Sequence, residues 1–263
     1  MIKANYRFGL RALAIVLSFA AALVVTFGWR GLSGGIALAQ NEEPQFTTEF
    51  RLKDCKFETV GANSYFILKP GYRLILDGEE DGETVRVVIT VLPKTKKIFL
   101  PNIGTVRTRV VEERESVDGE LVEVSRNFFA ICKKTNDVFY FGEDVDIFNE
   151  DGTISHEGSW LAGVDGAEPG IIMPGTFLLG SRYFQEQASG IATDRAEHVE
   201  MGLEVTTDAG TFNECVRVLE TTLLEPGVES EKIYAPGVGL VVDDVVELVK
   251  FGFIKDDDDD DDD

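Results

Sequence analysis

Residues 106–129 of the chain read VRTRVVEERESVDGELVEVSRNFF. Apolar and polar residues follow one another with a period close to two on both sides of Asp118-Gly119, which is the period of a strand that has two different faces. An Asp-Gly pair accepts the positive φ angles of a two-residue hairpin turn. We therefore predict an antiparallel β-hairpin in this segment.

The same kind of pattern continues along the chain in both directions. Further strand-like runs lie at residues 72–76, 84–91, 138–141, 181–187, 197–206, 212–224, 231–235 and 238–250. Five of the eight prolines, Pro70, Pro169, Pro174, Pro226 and Pro236, precede a glycine, as in type II turns. The sequence predicts a mainly β protein with few short helices, in which an antiparallel meander forms a half-open, unclosed β-barrel.

Residues 1–39 have the layout of a secretory signal peptide. Lys3, Arg7 and Arg11 precede the uncharged apolar run 12–29, and the small residues of Ala37-Leu38-Ala39 stand before Gln40. A run of this length can also span a bilayer as a retained anchor. We expect cleavage and export, with the protein periplasmic or extracellular.

The remaining chain divides into a linker or edge segment (40–62), an antiparallel β domain (63–254) and an acidic tail (255–263). Residues 1–39 hold four of the 25 Lys and Arg residues and none of the 47 Asp and Glu, so the mature chain has a formal charge of −26. Such a charge repels nucleic acid, and no nucleic-acid partner is expected.

The tail is a run of aspartates whose mutual repulsion predicts disorder and diffuse association with divalent cations, without a specific metal site. These residues are Asp256, Asp257, Asp258, Asp259, Asp260, Asp261, Asp262 and Asp263.

Cysteine and histidine are scarce. Cys55, Cys132 and Cys215 allow one disulfide in an exported protein, with three possible pairings, or three buried apolar side chains. We expect that folding does not require a disulfide, because a core of this size is sufficient. With two His and no CxxC, no cofactor and no zinc or haem site is expected.

Residues 150–180 depart from the strand pattern. They contain seven glycines and several large apolar side chains, which predicts a long loop that either covers a ligand site or plugs the end of the barrel. The ligand-binding candidates in it are Trp160, Leu161, Met173 and Phe177.

The first alternative to ligand binding is a small hydrolase. His156 beside Ser155, Ser159 and Asp165 could form a small hydrolase site or belong to a surface loop. The other histidine, His198, is expected at the surface of a strand. No other hydrolase, nucleotide or metalloprotease motif occurs in the chain, so an enzyme is not the favoured class.

Calcium binding is the second alternative. The segment Asp77-x-Glu79-x-Asp81-Gly82 begins like an EF-hand loop, but Val88 stands where that loop needs a bidentate Glu. The acids between Asp144 and Asp151 have the wrong spacing. Both segments are therefore interpreted as turns.

Several segments carry a resemblance to known proteins. The stretches KPGYRLILDGEEDGETVRVVITVL, RTRVVEERESVDGELVEVSRNFFA, DAGTFNECVRVLETTLLEPGVE and IYAPGVGLV, within about residues 64–242, resemble uncharacterised exported bacterial proteins. AGTF-x-x-C at Ala209–Cys215 and the segment that begins YAPGVGLV at Tyr234 are also similar to the unclosed β-barrel of bacterial lipoprotein carriers. That resemblance implies a curved antiparallel sheet whose concave face accepts acyl chains.

The function expected from the sequence is an exported, non-enzymatic envelope or secreted protein. It would bind an apolar small molecule, a lipid or an envelope protein partner on the concave face of the barrel. The alternatives are a small hydrolase that uses residues 150–180, or an acidic surface protein associated with cations or minerals.

Overall fold

The computed structural model of the protein describes residues 45–254. The predicted signal peptide, the first residues of the predicted linker and the aspartate tail lie outside these described residues. Within residues 45–254, no helix is long and apolar enough to cross a bilayer.

The described part of the chain consists of strands and one short 3-10 turn at Leu52–Asp54. In chain order the strands are β1 Phe57–Glu58, β2 Gly61–Ala62, β3 Ile67–Leu68, β4 Tyr72–Glu80, β5 Glu83–Leu100, β6 Gly104–Val117, β7 Glu120–Cys132, β8 Val138–Phe148, β9 Ile154–Ser155, β10 Trp160–Leu161, β11 Glu168–Met173, β12 Arg182–Phe184, β13 Glu186–Gln187, β14 Asp194–Thr207, β15 Gly210–Thr222, β16 Glu229–Ala235, β17 Gly239–Asp243 and β18 Val246–Phe253.

The strands form a nearly closed, barrel-shaped antiparallel sheet with one unsealed seam, which confirms the predicted fold class. The order of neighbours is β12-β14-β15-β16-β17-β18-β4-β5-β6-β7-β8-β11-β13. Two meanders, β4–β8 and β14–β18, are joined where β18 pairs with β4. The two edge strands of the sheet are β12 and β13. They are consecutive in the chain and are separated only by Gln185. The segment 182–187 therefore brings the two edges of the sheet together.

The predicted hairpin at residues 106–129 is present as β6 and β7. Val117 pairs with Glu120 across the turn, and Asp118 and Gly119 have φ angles of 50° and 83°. Asp and Gly tolerate this left-handed region better than other residues. The local turn chemistry therefore sets how β6 and β7 are aligned with each other.

The ends of β7 and β8 are buried on both faces. The apolar run from Phe128 to Cys132 and the run from Val138 to Phe141 are buried without alternation, as expected for strands covered on both sides. Phe57, from the predicted linker, packs edge-on against Phe139 and Phe141, with ring centroids 5.5 and 5.2 Å apart. The part of this segment around Phe57 thus packs into the core of the described domain.

A disulfide joins this segment to the sheet. Cys55 is bonded to Cys132 at the end of β7, and Cys215 is buried as a free thiol. The sequence left the pairing open, because proximity of residues 77 positions apart depends on the tertiary fold.

Residues 150–180 are more regular than the sequence suggests. Their strands β9, β10 and β11 all pair with β8. The segment therefore extends the sheet along one side of β8, and some of its glycines allow close approach of backbone. A Cβ on Gly170 would lie 2.2 Å from the carbonyl oxygen of Phe184, and one on Gly175 would lie 1.9 Å from that of Thr135.

Candidate functional site

The interior of the barrel contains a cavity of about 200 Å³. One part of its wall is apolar and aromatic, formed by Tyr65, Phe66, Ile67, Tyr72, Leu74, Ile89, Val91, Val111, Phe129, Ile172, Val238 and Leu240. The other part is polar, formed by Glu113, Asn127, Tyr140, Gln185, Glu186, Asp194, Glu220, Lys232, Tyr234 and Asp243, with Gly239 completing the wall. The cavity is therefore amphipathic.

Strand alternation places the polar groups inside. Glu113 on β6 lies directly opposite Ile89 on β5, and side chains at paired positions share a face of the sheet. The neighbouring Glu112 points outward, where it accepts a hydrogen bond from Arg126 at 3.1 Å. A one-residue step along the strand thus separates a surface ion pair from a cavity carboxyl.

Lys232 is the centre of a network on β15, β16 and β17. Its Nζ donates to both carboxylate oxygens of Asp243 at 2.8 Å and lies 3.7 Å from Glu220 Oε2. Gln185 Nε2 donates to Glu220 Oε1 at 2.6 Å. Burial lowers the pKa of Lys232, but Asp243 and Glu220 more than offset this and hold it well above its usual value. Lys232 therefore stays charged, with its charge already balanced.

A second group of acids lies beside the seam. Glu186 is 2% exposed, and its Oε1 accepts a hydrogen bond from the backbone N of Asp194 at 2.6 Å. Burial raises the pKa of Glu186 well above its usual value, and the nearby Asp194 carboxyl raises it further. Burial also raises the pKa of Asp194. Two adjacent buried carboxyl groups cannot both ionise without a counter-charge.

Glu113 has no hydrogen-bond or ion-pair partner for its carboxyl among the described residues. Burial raises its pKa to about 8, and Lys232 only partly opposes this effect. Across the cavity, burial likewise raises the pKa of Glu220 to about 7, although Lys232 and Gln185 lower it. At neutral pH these two groups are close to half-ionised or protonated, and a nearby positive charge would ionise them.

Tyrosines link the polar wall to the apolar wall. Tyr140 donates a hydrogen bond through its hydroxyl to Asn127 Oδ1 at 2.6 Å, and its ring lies 4.9 Å from that of Phe129. Tyr72 donates to the carbonyl oxygen of Val238 at 2.8 Å. These hydroxyls are satisfied by the protein, so the rings present fixed aromatic surface to the cavity.

None of the four ligand-binding candidates chosen from the sequence lines the cavity. Trp160 and Met173 are buried in the core, because β10 and β11 are bonded into the sheet beside β8. Leu161 is partly buried there. Phe177 comes nearest, since its ring packs at 5.9 Å from the ring of Tyr65 in the cavity wall.

The predicted surface position of His198 is wrong. The residue is fully buried, its ring is stacked on Phe177 at 3.8 Å, and its Nε2 lies 2.9 Å from the Tyr183 hydroxyl. Burial lowers the pKa of His198 to about 4. The residues that bury it come from the connection between β11 and β12, which strand periodicity does not reveal.

The hydrolase alternative receives no support from the geometry. His156 Nδ1 lies 2.9 Å from the carbonyl oxygen of Val145 and 3.0 Å from Asp146 Oδ1, with its side chain 69% exposed. Ser159 Oγ accepts a hydrogen bond from Val145 N instead. No hydroxyl within residues 45–254 is hydrogen-bonded to His156.

The sequence predicts turns for the two calcium segments, but only residues 81–82 and 150–151 are turns, and residues 77–80 and 144–148 lie in β4 and β8. Asp77 lies in β4 and pairs with Arg86 of β5 at 2.7 Å. In the part of the chain that the structure describes, no group of three or more His, Cys, Asp or Glu side chains is arranged to hold a metal ion. The cations expected at the aspartate tail concern residues outside the described range.

Comparison of the chain with protein-family models, with curated proteins and with solved structures finds no match. The functional argument therefore depends on the cavity itself.

Proposed function

We propose that this protein is an exported, non-enzymatic binding protein that holds a small amphipathic molecule inside its barrel. The observation that carries the proposal is the cavity of about 200 Å³ with one apolar wall and one polar wall. Small-molecule sites in proteins are concave, mostly apolar and supplied with a few polar groups that orient the ligand.

The division of the wall also suggests how the ligand lies. Ile89, Val91 and Phe129 offer apolar surface to its hydrocarbon part, while Glu113 and Gln185 offer hydrogen-bonding groups to its polar part. The size of the cavity favours a short chain over a full lipid.

A neutral fluorescent probe, N-phenyl-1-naphthylamine, tests whether the cavity binds apolar molecules. We expect a saturable rise in fluorescence with the wild-type protein and its loss in Ile89→Trp, which fills the cavity. The matched control is Val88→Trp, since Val88 is the next residue of β5 and lies on the opposite face. Thermal melting of all three proteins verifies folding.

Either of two results would overturn the proposal. One is the absence of saturable binding to the wild-type protein. The other is equal binding to folded Ile89→Trp and Val88→Trp, which would place the probe outside the barrel.

Export is tested separately. We expect the mature protein from native cells to begin at Gln40, as N-terminal sequencing of the membrane-free extracytoplasmic fraction would show. An N-terminus at or near Met1 in the membrane fraction would favour the retained anchor instead.

A further inference from the structure

We infer that the polar part of the ligand is an organic ammonium group, held against Glu113 and Glu186 with its hydrocarbon part along the β4–β5 wall. This inference rests on the proposed function, because it names the chemical class of the ligand for the same cavity. It is carried by a cavity wall that holds five carboxyl groups and one ammonium group, and by the Glu113 carboxyl, which has no donor among the described residues.

The wall has too few cations for its acids. Five carboxyl groups, those of Glu113, Glu186, Asp194, Glu220 and Asp243, line the cavity with the single ammonium of Lys232. Both oxygens of Asp243 are bonded to that ammonium, and Glu220 is its next neighbour. Glu113, Glu186 and Asp194 have no side-chain cation among the described residues within ion-pair distance.

The cavity carboxyl groups also have few hydrogen-bond donors. No described residue donates a hydrogen bond to Glu113, although its side chain lines the cavity. Glu186 is 2% exposed, its Oε1 accepts a hydrogen bond from the backbone N of Asp194, and its carboxyl is also hydrogen-bonded to the Asp194 carboxyl. Glu113 is half-buried and its carboxyl lines the cavity, so a bound molecule that brings donors and positive charge can reach it. An alkylammonium supplies both and has no acceptor.

The aromatic groups of the wall are compatible with the same ligand. Tyr140, Tyr234 and Phe129 line the cavity, and the face of an aromatic ring attracts an ammonium group. A carboxylate head group, by contrast, would add another negative charge beside the acids. A neutral head group could accept or donate hydrogen bonds but would not stabilise the ionised form of the Glu113 carboxyl.

Three probes with the same tail separate these head groups: hexylammonium, hexanol and hexanoate. Isothermal titration calorimetry or displacement of N-phenyl-1-naphthylamine measures their affinities at neutral pH. We expect hexylammonium to bind about tenfold or more tightly than hexanol, since hydrogen bonds to charged groups are stronger than neutral ones. Hexanoate should bind most weakly.

Paired variants test the location of the head group. Glu113→Gln should weaken hexylammonium binding about tenfold and leave hexanol within about twofold. The control Glu120→Gln removes the same charge from an exposed position at the start of the next strand and should leave both affinities unchanged. Titration with Ca²⁺ alone should not displace hexylammonium at equal concentration.

The outcomes distinguish the two proposals. Equal affinity for hexanol and hexylammonium, or stoichiometric displacement by Ca²⁺, would overturn the ammonium assignment while amphiphile binding still stood. Equal weakening of hexylammonium by the inner and outer variants would overturn the placement at Glu113. If neither the neutral dye nor any hexyl probe bound, both proposals would fall.

Discussion

Strands β5 and β6 are hydrogen-bonded neighbours, yet they offer opposite chemistry to the inside of the barrel. The inward side chains of β5 include Val87 and Ile89, and the positions directly opposite on β6 are Glu115 and Glu113. Both strands have the same alternation and the same turn chemistry around them. The difference is that β5 gains hydrophobic burial, whereas β6 places carboxyl groups in a low-dielectric interior at a cost in stability.

That contrast indicates a division of roles within one sheet. Residues that lower the free energy of folding lie on β4 and β5, with further apolar burial at the ends of β7 and β8. The carboxyl groups that raise it lie on β6 and on β13 to β17, which are strands that also bury apolar residues such as Val111 and Leu240. A cost retained in the interior is typical of a site that awaits a ligand, because the ligand supplies the missing interactions.

The largest effect is expected from removing apolar volume on the β4–β5 side. Leu76 is fully buried and pairs with Val87, so Leu76→Ala should lower the free energy of unfolding by about 2–5 kcal/mol through lost burial and a residual cavity. Urea denaturation measures the change. A loss below about 0.5 kcal/mol would contradict the assignment of stability to this wall.

Reduction of the Cys55–Cys132 bond should have the next largest effect. The bond closes a loop across 77 positions, and such a link stabilises a protein by about 2–4 kcal/mol. We expect the domain to remain folded with a lower melting temperature, because the apolar wall is unaffected. Melting curves with and without reductant test this, with Cys55→Ser/Cys132→Ser as a second route. Complete unfolding at room temperature would show that the acidic wall depends on this bond.

Replacing Glu113 should have a smaller effect, and it should raise the free energy of unfolding instead of lowering it. Its pKa of about 8 in the folded protein, against 4.5 as the ordinary value, results from burial and from Asp243, Glu123 and Glu115, opposed by Lys232. The folded state therefore holds a proton that the unfolded state releases, and stability falls as pH rises from about 4.5 to 8. Glu113→Gln should remove about 2 kcal/mol of this decline, which is less than the pKa shift alone implies because solvent screens the half-buried carboxyl.

Melting temperatures measured from pH 5 to pH 8 test whether the buried Glu113 carboxyl lowers stability as pH rises. The wild-type curve should descend over this range, and the Glu113→Gln curve should be flatter and higher at pH 8. The exposed Glu120→Gln serves as the control and should follow the wild-type curve. A wild-type stability that increased steadily towards pH 8 would show that these acids ionise without cost.

Deletion of the aspartate tail should have the smallest effect on stability, although it removes more charges than any other change proposed. Deleting Asp256–Asp263 removes eight carboxylates but no apolar burial, so the free energy of unfolding should change by less than about 0.5 kcal/mol. Calcium association should weaken, and physiological salt should weaken it further by screening. Calorimetry of the full and shortened chains measures this. A tight stoichiometric calcium site lost with the tail would contradict diffuse association.

The strand meander was predictable because its signals are local. Asp118-Gly119 and the Pro-Gly pairs mark turns within a few residues, and the runs between them have a strand period. The burial of His198 was not predictable, since its cover comes from Phe177, separated from it by a whole connection. The Cys55–Cys132 pair was one of three possibilities for the same reason.

The positions of the cavity acids could not be predicted from local sequence patterns. The run Arg109–Arg114 reads RVVEER, so the two faces of β6 carry the same sequence of types: valine then glutamate at Val110 and Glu112, and again at Val111 and Glu113. Alternation assigns these residues to two faces but cannot tell which face is inside. Only closure of the barrel decides this, because it brings β13 to β17 across from β6. Closure thereby exposes Glu112 to solvent and Arg126, and it encloses Glu113 with too few cations.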